Sequence, residues 1–154
     1  MFEWLQSLGI DVAAGTADAR AHVPDALPFL ADHFPGHPIL PGSLQIELAA
    51  QVAGALAEEI VAHREGQPRW SFLGMVRHAT FHVPVSLPAQ LSISARAERI
   101  ERDSIVAHTE ILPSAGELAC RAALVMVMLP PQPGWEEAQE RHRARIAQLK
   151  ARAR

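Results

Sequence analysis

His33-Phe34-Pro35-Gly36-His37-Pro38-Ile39-Leu40-Pro41-Gly42-Ser43 runs straight into Leu44-Gln45-Ile46-Glu47-Leu48-Ala49-Ala50-Gln51-Val52-Ala53-Gly54-Ala55-Leu56-Ala57. Proline locks its own φ and biases the residue before it away from helix, so a segment with Pro35, Pro38 and Pro41 has few accessible shapes. His33 is therefore aimed rather than floppy. From Ser43 to Ala57 only Ser43, Gln45, Glu47 and Gln51 are strongly polar, which predicts a helix buried nearly all round. An ionised Glu47 in such a wall is costly without a partner. A stiffly held imidazole and a carboxyl in an oily helix are the two halves of an acid/base pair. Ser43, or the free amides beside Gly42, caps the helix, and Glu65-Gly66-Gln67-Pro68 ends it after Arg64.

Working outward, Pro24 to Gly42 carries five prolines and reads as a long irregular connection, a kind of segment that is usually functional. Residues 2 to 8 are expected as a short helix, and residues 12 to 23 alternate small apolar with polar side chains as an exposed strand does. After the helix come four strand-like runs, Trp70 to Val83, Gln90 to Arg102, Ile105 to Leu112 and Glu117 to Leu129. Leu91, Ile93, Ala95 and Ala97 alternate with Ser92, Ser94, Arg96 and Glu98, as expected for a strand with one wet face. Glu101-Arg102-Asp103-Ser104 and Pro113-Ser114-Ala115-Gly116 read as hairpin turns. One long buried helix followed by a meander predicts an antiparallel sheet curled around that helix, an α+β domain over residues 1–130. Pro130-Pro131-Gln132-Pro133-Gly134 is a stiff linker, and Trp135 to Arg152 a basic terminal helix, so residues 131–154 form an appendage.

Composition narrows the function classes. The chain has 154 residues, enough for one domain with a real core, and its apolar runs are too short to span a bilayer. Met1-Phe2-Glu3-Trp4 lacks the basic start and long apolar core of an export signal, so a cytoplasmic location is expected. The net charge of −3 divides into a basic terminal helix and an acidic body, which offers duplex nucleic acid no cationic face. The lone Cys120, inside an apolar run, reads as a buried hydrophobe. His37 falls four residues after His33 with prolines between and no third ligand, so no metal site is expected; His78 and His82 read as surface or interface residues. Glu47, Gln51, Gly54 and Glu58 also have the spacing of a plain solvent stripe on an amphipathic helix.

His33-Phe34-Pro35, Pro38, Pro41-Gly42, Leu44, Glu47 and Gln51, with Phe81 and Pro84 further on, resemble the signature of the 3-hydroxyacyl-acyl-carrier-protein dehydratases, the FabZ/FabA group of hotdog-fold enzymes. That resemblance implies a hotdog fold, a homodimer with shared active sites that can pair into larger assemblies, and no metal or redox cofactor. It further implies that His33 takes a proton from C2 of a 3-hydroxyacyl thioester, while Glu47 of the opposite protomer binds or protonates the departing hydroxyl. Gly42, with Ser43, supplies backbone N–H groups to the thioester oxygen, and Gln51 orients the carboxyl. Burial is expected to keep that carboxyl protonated near neutrality. The substrate carrier is an acyl carrier protein or coenzyme A, and the setting is fatty-acid, polyene or polyketide-type biosynthesis. A glutamate at position 47 resembles the plain dehydratase branch. Basic residues that flank the motif in housekeeping members are thinned here, where Asp25-Ala26-Leu27-Pro28-Phe29-Leu30-Ala31 and Phe81-His82-Val83-Pro84 stand. Arg141, Arg143, Arg145 and Lys150 of the terminal helix are therefore expected to take over part of the attraction to an acidic carrier. A hotdog thioesterase and a non-catalytic acyl-binding module are the rival readings.

Overall fold

The computed structural model describes residues 3–25, 30, 34–114 and 116–153. Its elements are β1 (Leu5–Asp11), β2 (Thr16–Val23), α1 (Gly42–Glu65), β3 (Trp70–Phe81), β4 (Ala89–Ile100), β5 (Ser104–Pro113), β6 (Cys120–Leu129) and α2 (Glu136–Ala151). The strands form one six-stranded sheet in the order β1-β2-β4-β5-β6-β3. Every paired neighbour is antiparallel. α1 packs across the inner face of that sheet, touching each of its strands, as the helix-then-meander order predicted, and the arrangement is the hotdog fold that the resemblance implied.

The helix and the four later strands fall where their periodicities place them. On β4, Leu91, Ile93 and Ala95 are buried and alternate with wetter neighbours, so one face meets α1 and the other meets solvent. Both predicted hairpin turns close, Glu101 N–H donating to the Ser104 carbonyl at 2.9 Å and Gly116 N–H to the Pro113 carbonyl at 2.9 Å. Met126 and Met128 are each 2% exposed between sheet and helix, where a flexible thioether fills irregular space. Cys120 is buried, and burial pushes its thiol pKa up, consistent with a packing role.

Two readings of the N-terminal third need correction. Residues 2 to 8 are not a helix: Leu5–Asp11 is the edge strand β1, paired with β2 from Leu5–Ala21 to Asp11–Thr16 with a bulge between Leu5 and Ser7. Seven residues are too few to settle as an isolated helix, and burying Leu5 and Leu8 against α1 while pairing with β2 decides the matter. The strand expected over 12 to 23 begins at Thr16 and is not exposed; Ala17, Ala19, Ala21 and Val23 are buried. Small side chains there let the curled sheet approach α1 closely.

α1 was expected to be buried nearly all round, and here too the structure differs. Leu48, Val52, Ala53, Leu56, Ala57 and Val61 are fully buried, but Ser43 and Glu47 are exposed, because one sheet covers one side of a helix and leaves the other open. The core contact is strong. Leu56→Ala is expected to destabilise the fold by about 2–5 kcal/mol in denaturant titration, since Leu56 is 0% exposed and rigid walls surround it. α2 covers part of the open side: Leu149 is buried, Ile146 packs on the core, and the helix runs along β1. The appendage thus packs onto the domain that precedes it.

Candidate active site at the start of the central helix

The site is built where the proline-rich connection meets α1. Pro35 and Gly36 occupy the central positions of a turn in which His37 N–H donates to the Phe34 carbonyl at 2.9 Å, and Gly36 has φ 77°, the conformation a type II turn demands. Leu40 N–H donates to Val85 at 2.8 Å and Leu87 N–H to Pro38 at 2.9 Å, so the connection is stitched to the segment after β3. Buried Gln45, in the first helical turn, reaches back to the Leu40 carbonyl at 3.3 Å. The sequence reading gave Gln45 no role; an amide in an otherwise apolar first turn was the signal available.

Gly42 is the first residue of α1, and Pro41, which has no side-chain capping bond, sits at the N-cap. Ser43 therefore does not cap the helix. Leu44 and Gln45 N–H groups take the Pro41 carbonyl, while the N–H groups of Gly42 and Ser43 precede the first helical acceptor and lie at the positive end of the helix dipole. A Cβ on Gly42 would lie 2.8 Å from Phe81 Cζ, so only glycine lets the Phe81 ring, 48% exposed at the end of β3, rest over the helix start.

One turn further, Gln51 Nε2 donates to Glu47 Oε1 at 2.9 Å, the orienting contact expected of that pair. The expected burial of Glu47 is not supplied by its own chain: its side chain points to the open side of α1 and is exposed in the single protomer. The solvent-stripe reading fails further down the same face. Gly54 is buried against Ser71, and Glu58 is half-buried and hydrogen-bonded to β3 and α2. His33 lies outside the described residues, as do residues 26–29, 31 and 32, so the structure gives no distance for the pair of His33 and Glu47. His37 Nε2 stands 3.5 Å from Ser86 Oγ, and among the described residues no group of histidine, cysteine or carboxylate side chains has the arrangement of a metal site. His78 is exposed on the outer sheet face beside His108, whose Nε2 pairs with Glu98 at 2.8 Å and holds that carboxyl below its usual range.

The basic groups of α2 are largely engaged within the chain. Arg145 donates to the Leu5 carbonyl at 2.9 Å, Lys150 pairs with Glu59 at 2.8 Å, and Arg141 pairs with Glu137.

Comparison with known proteins gives a consistent picture. The ApeI-like family model, described as ApeI dehydratase, matches residues 10–105. A 3-hydroxyacyl-[acyl-carrier-protein] dehydratase FabZ of Syntrophobacter fumaroxidans is 36% identical over 101 residues, covering 58% of this chain and 67% of that one. Among solved structures, smu.793 from Streptococcus mutans UA159 bound to acetyl CoA superposes with a TM-score of 0.64 at 14% identity, over 86% of this chain and 94% of that one. A mutant of thioesterase PA1618 from Pseudomonas aeruginosa gives 0.59 at 18% identity, over 76% of each chain. At those identities the two solved structures speak to the fold alone.

Proposed function

The chain belongs to the ApeI-like dehydratase family, and from that premise we propose that it removes water from 3-hydroxyacyl thioesters to give trans-2-enoyl thioesters. The observation that carries the site assignment is the Gln51-oriented Glu47 carboxyl on the same helix, and beside the same helix start, as the unpaired Gly42 and Ser43 amides. In the reaction His33 takes the proton from C2, the electron pair of that bond forms the C2–C3 double bond, and the C3 hydroxyl departs as water with a proton from Glu47. Negative charge gathers on the thioester oxygen, where the Gly42 and Ser43 N–H groups receive it. This chemistry needs no redox or metal group.

The working unit is a homodimer. β1, at one edge of the sheet, runs alongside α2, whereas β3, at the other, presents exposed Phe72, Met75, Val76 and Phe81 along an unpaired backbone. A long edge strand with exposed apolar side chains and one unpaired side is a template for pairing. A second copy seated on it brings its own loop to this Glu47, which supplies both the missing base and the burial that one protomer lacks. The acyl group arrives on an acyl carrier protein or coenzyme A. We place the reaction in the cytoplasm; among the described residues no helix is long and apolar enough to cross a membrane.

Incubation with a 3-hydroxyacyl carrier-protein thioester and its coenzyme A counterpart tests the reading. Mass loss of one water with the thioester intact is the expected product. Release of free acid and thiol would instead establish hydrolysis, and binding without turnover would establish an acyl-binding module.

A further inference from the structure

Glu58 lies on the same face of α1 as Glu47, but its surroundings differ. Its Oε1 accepts from the Ser71 backbone N–H at 3.0 Å and the Ser71 hydroxyl at 3.2 Å, and its Oε2 accepts from His142 Nε2 at 2.9 Å. One carboxylate, with a side chain only 14% exposed, therefore joins α1, the start of β3 and α2. A carboxylate withdrawn from water to this degree is costly unless satisfied, and three donors satisfy it. The His142 ring stacks on Trp70 with centroids 5.6 Å apart, and Trp70 meets Trp135 edge to face at the same separation. Gly54 closes the seam below: a Cβ there would lie 2.7 Å from Ser71 Oγ.

One turn further along α2, Arg145 donates to the carbonyl of Leu5 in β1, the strand at the other end of the sheet order, and beyond it Leu149 is buried. Between these anchorages a groove of about 650 Å³ separates the two helices, bridged by the Glu58–His142 and Glu59–Lys150 contacts. The helix is thus pinned at few points, from β3 at one sheet edge to β1 at the other. The family match ends at residue 105, before α2 begins.

We propose that His142 and Glu58 are positioning residues, a latch through which α2 straps the first residues of β3 against α1 and so holds the strand whose far end places Phe81 over Gly42. The proposal rests on the dehydratase reading for its catalytic consequence and on geometry alone for the strap. The hydrogen bond to Glu58 raises the His142 pKa above its ordinary value, against the opposing effects of burial and the Arg143 charge. Of the other groups facing the latch, Glu59 is occupied by Lys150, and Trp70, Ser71 and Trp135 do not titrate near neutrality. Because the folded pKa lies above the unfolded one, the latch contributes fully below about pH 6.5 and weakens as pH rises through the raised folded value. Neutral His142 still donates through Nε2–H to the Glu58 carboxylate, but the bond loses the positive charge on its donor and is weaker for it.

The test is amide hydrogen exchange over α2 and the first half of β3 in the full chain, from pH 5.5 to 9 and corrected for intrinsic rates, with kcat and KM measured alongside. For the unaltered protein, α2 opening is expected to rise about fivefold across the range. In His142→Gln and, independently, in Glu58→Gln, it is expected to be raised and flat with pH, with β3 following and kcat lowered more than KM, most strongly at acid pH. Identical exchange in all three proteins overturns the latch. Altered α2 exchange with unchanged β3 exchange and kcat overturns the positioning role. If the unaltered protein turns over no thioester, the functional reading falls, while the exchange profiles still decide the strap.

Discussion

Glu47→Gln is expected to lower kcat/KM on a 3-hydroxyacyl thioester by about 10²-fold or more, and His33→Ala by a similar factor. The amide is nearly isosteric with the carboxyl and still offers an oxygen to Gln51 Nε2, so the helix face keeps its shape while the transferable proton is gone. Because Glu47 is exposed in its own protomer, circular dichroism and the unfolding midpoint of the Glu47→Gln variant should stay near the parent values. If the two residues act from opposite protomers, each inactive variant carries the group the other lacks. Mixing them through unfolding and refolding should return about a quarter of the parent activity, since half of the dimers are hybrid and each hybrid has one intact site. Retention of more than a third of the activity by either variant removes that residue from the mechanism. No recovery on mixing removes the shared site.

Val76→Arg is expected to leave a folded monomer with dehydratase activity reduced about 10²-fold or more. Val76 is 41% exposed midway along β3, between exposed Met75 and Arg77, so the isolated protomer accommodates a charge there at little cost. In a strand-paired dimer the same charge is buried against its two-fold copy, without a partner and beside a like charge, at a cost of several kcal/mol. Sedimentation and activity should fall together, and titrating protein concentration upward should restore part of both. A dimer that survives the substitution, or a monomer with full activity, contradicts the edge-paired working unit.

The long helix and its punctuation were legible because they rest on local physics. Pro41 and Gly66 bracket α1, and the alternation in β4 follows from a two-residue repeat against one buried face. β1 was not legible: Leu5–Asp11 has no strict alternation, and its strand character comes from pairing with β2 and packing on α1. Within the site, the contact of Gln51 with Glu47 follows from their spacing of one helical turn. The place of Phe81 over Gly42 does not follow from spacing, since strand end and helix start meet only when the sheet curls. Glu58, whose spacing from Glu47 also fits a solvent stripe, and His142, to which the sequence assigned no role, gave no local sign of each other across 84 positions.

By itself, the order of residues determined one long helix behind a stiff proline loop, a meander of strands after it, and a carboxyl near the start of that helix. Proline, glycine and apolar periodicity act within a few residues, so these survive in any fold the chain adopts. Only the tertiary structure decided which polar groups of α1 meet water. Glu47 stands on the side the sheet leaves open, while Glu58, little more than three turns on, lies between β3 and α2 and is removed from solvent. Burial depends on what distant segments bring to a surface, and no helical period encodes that.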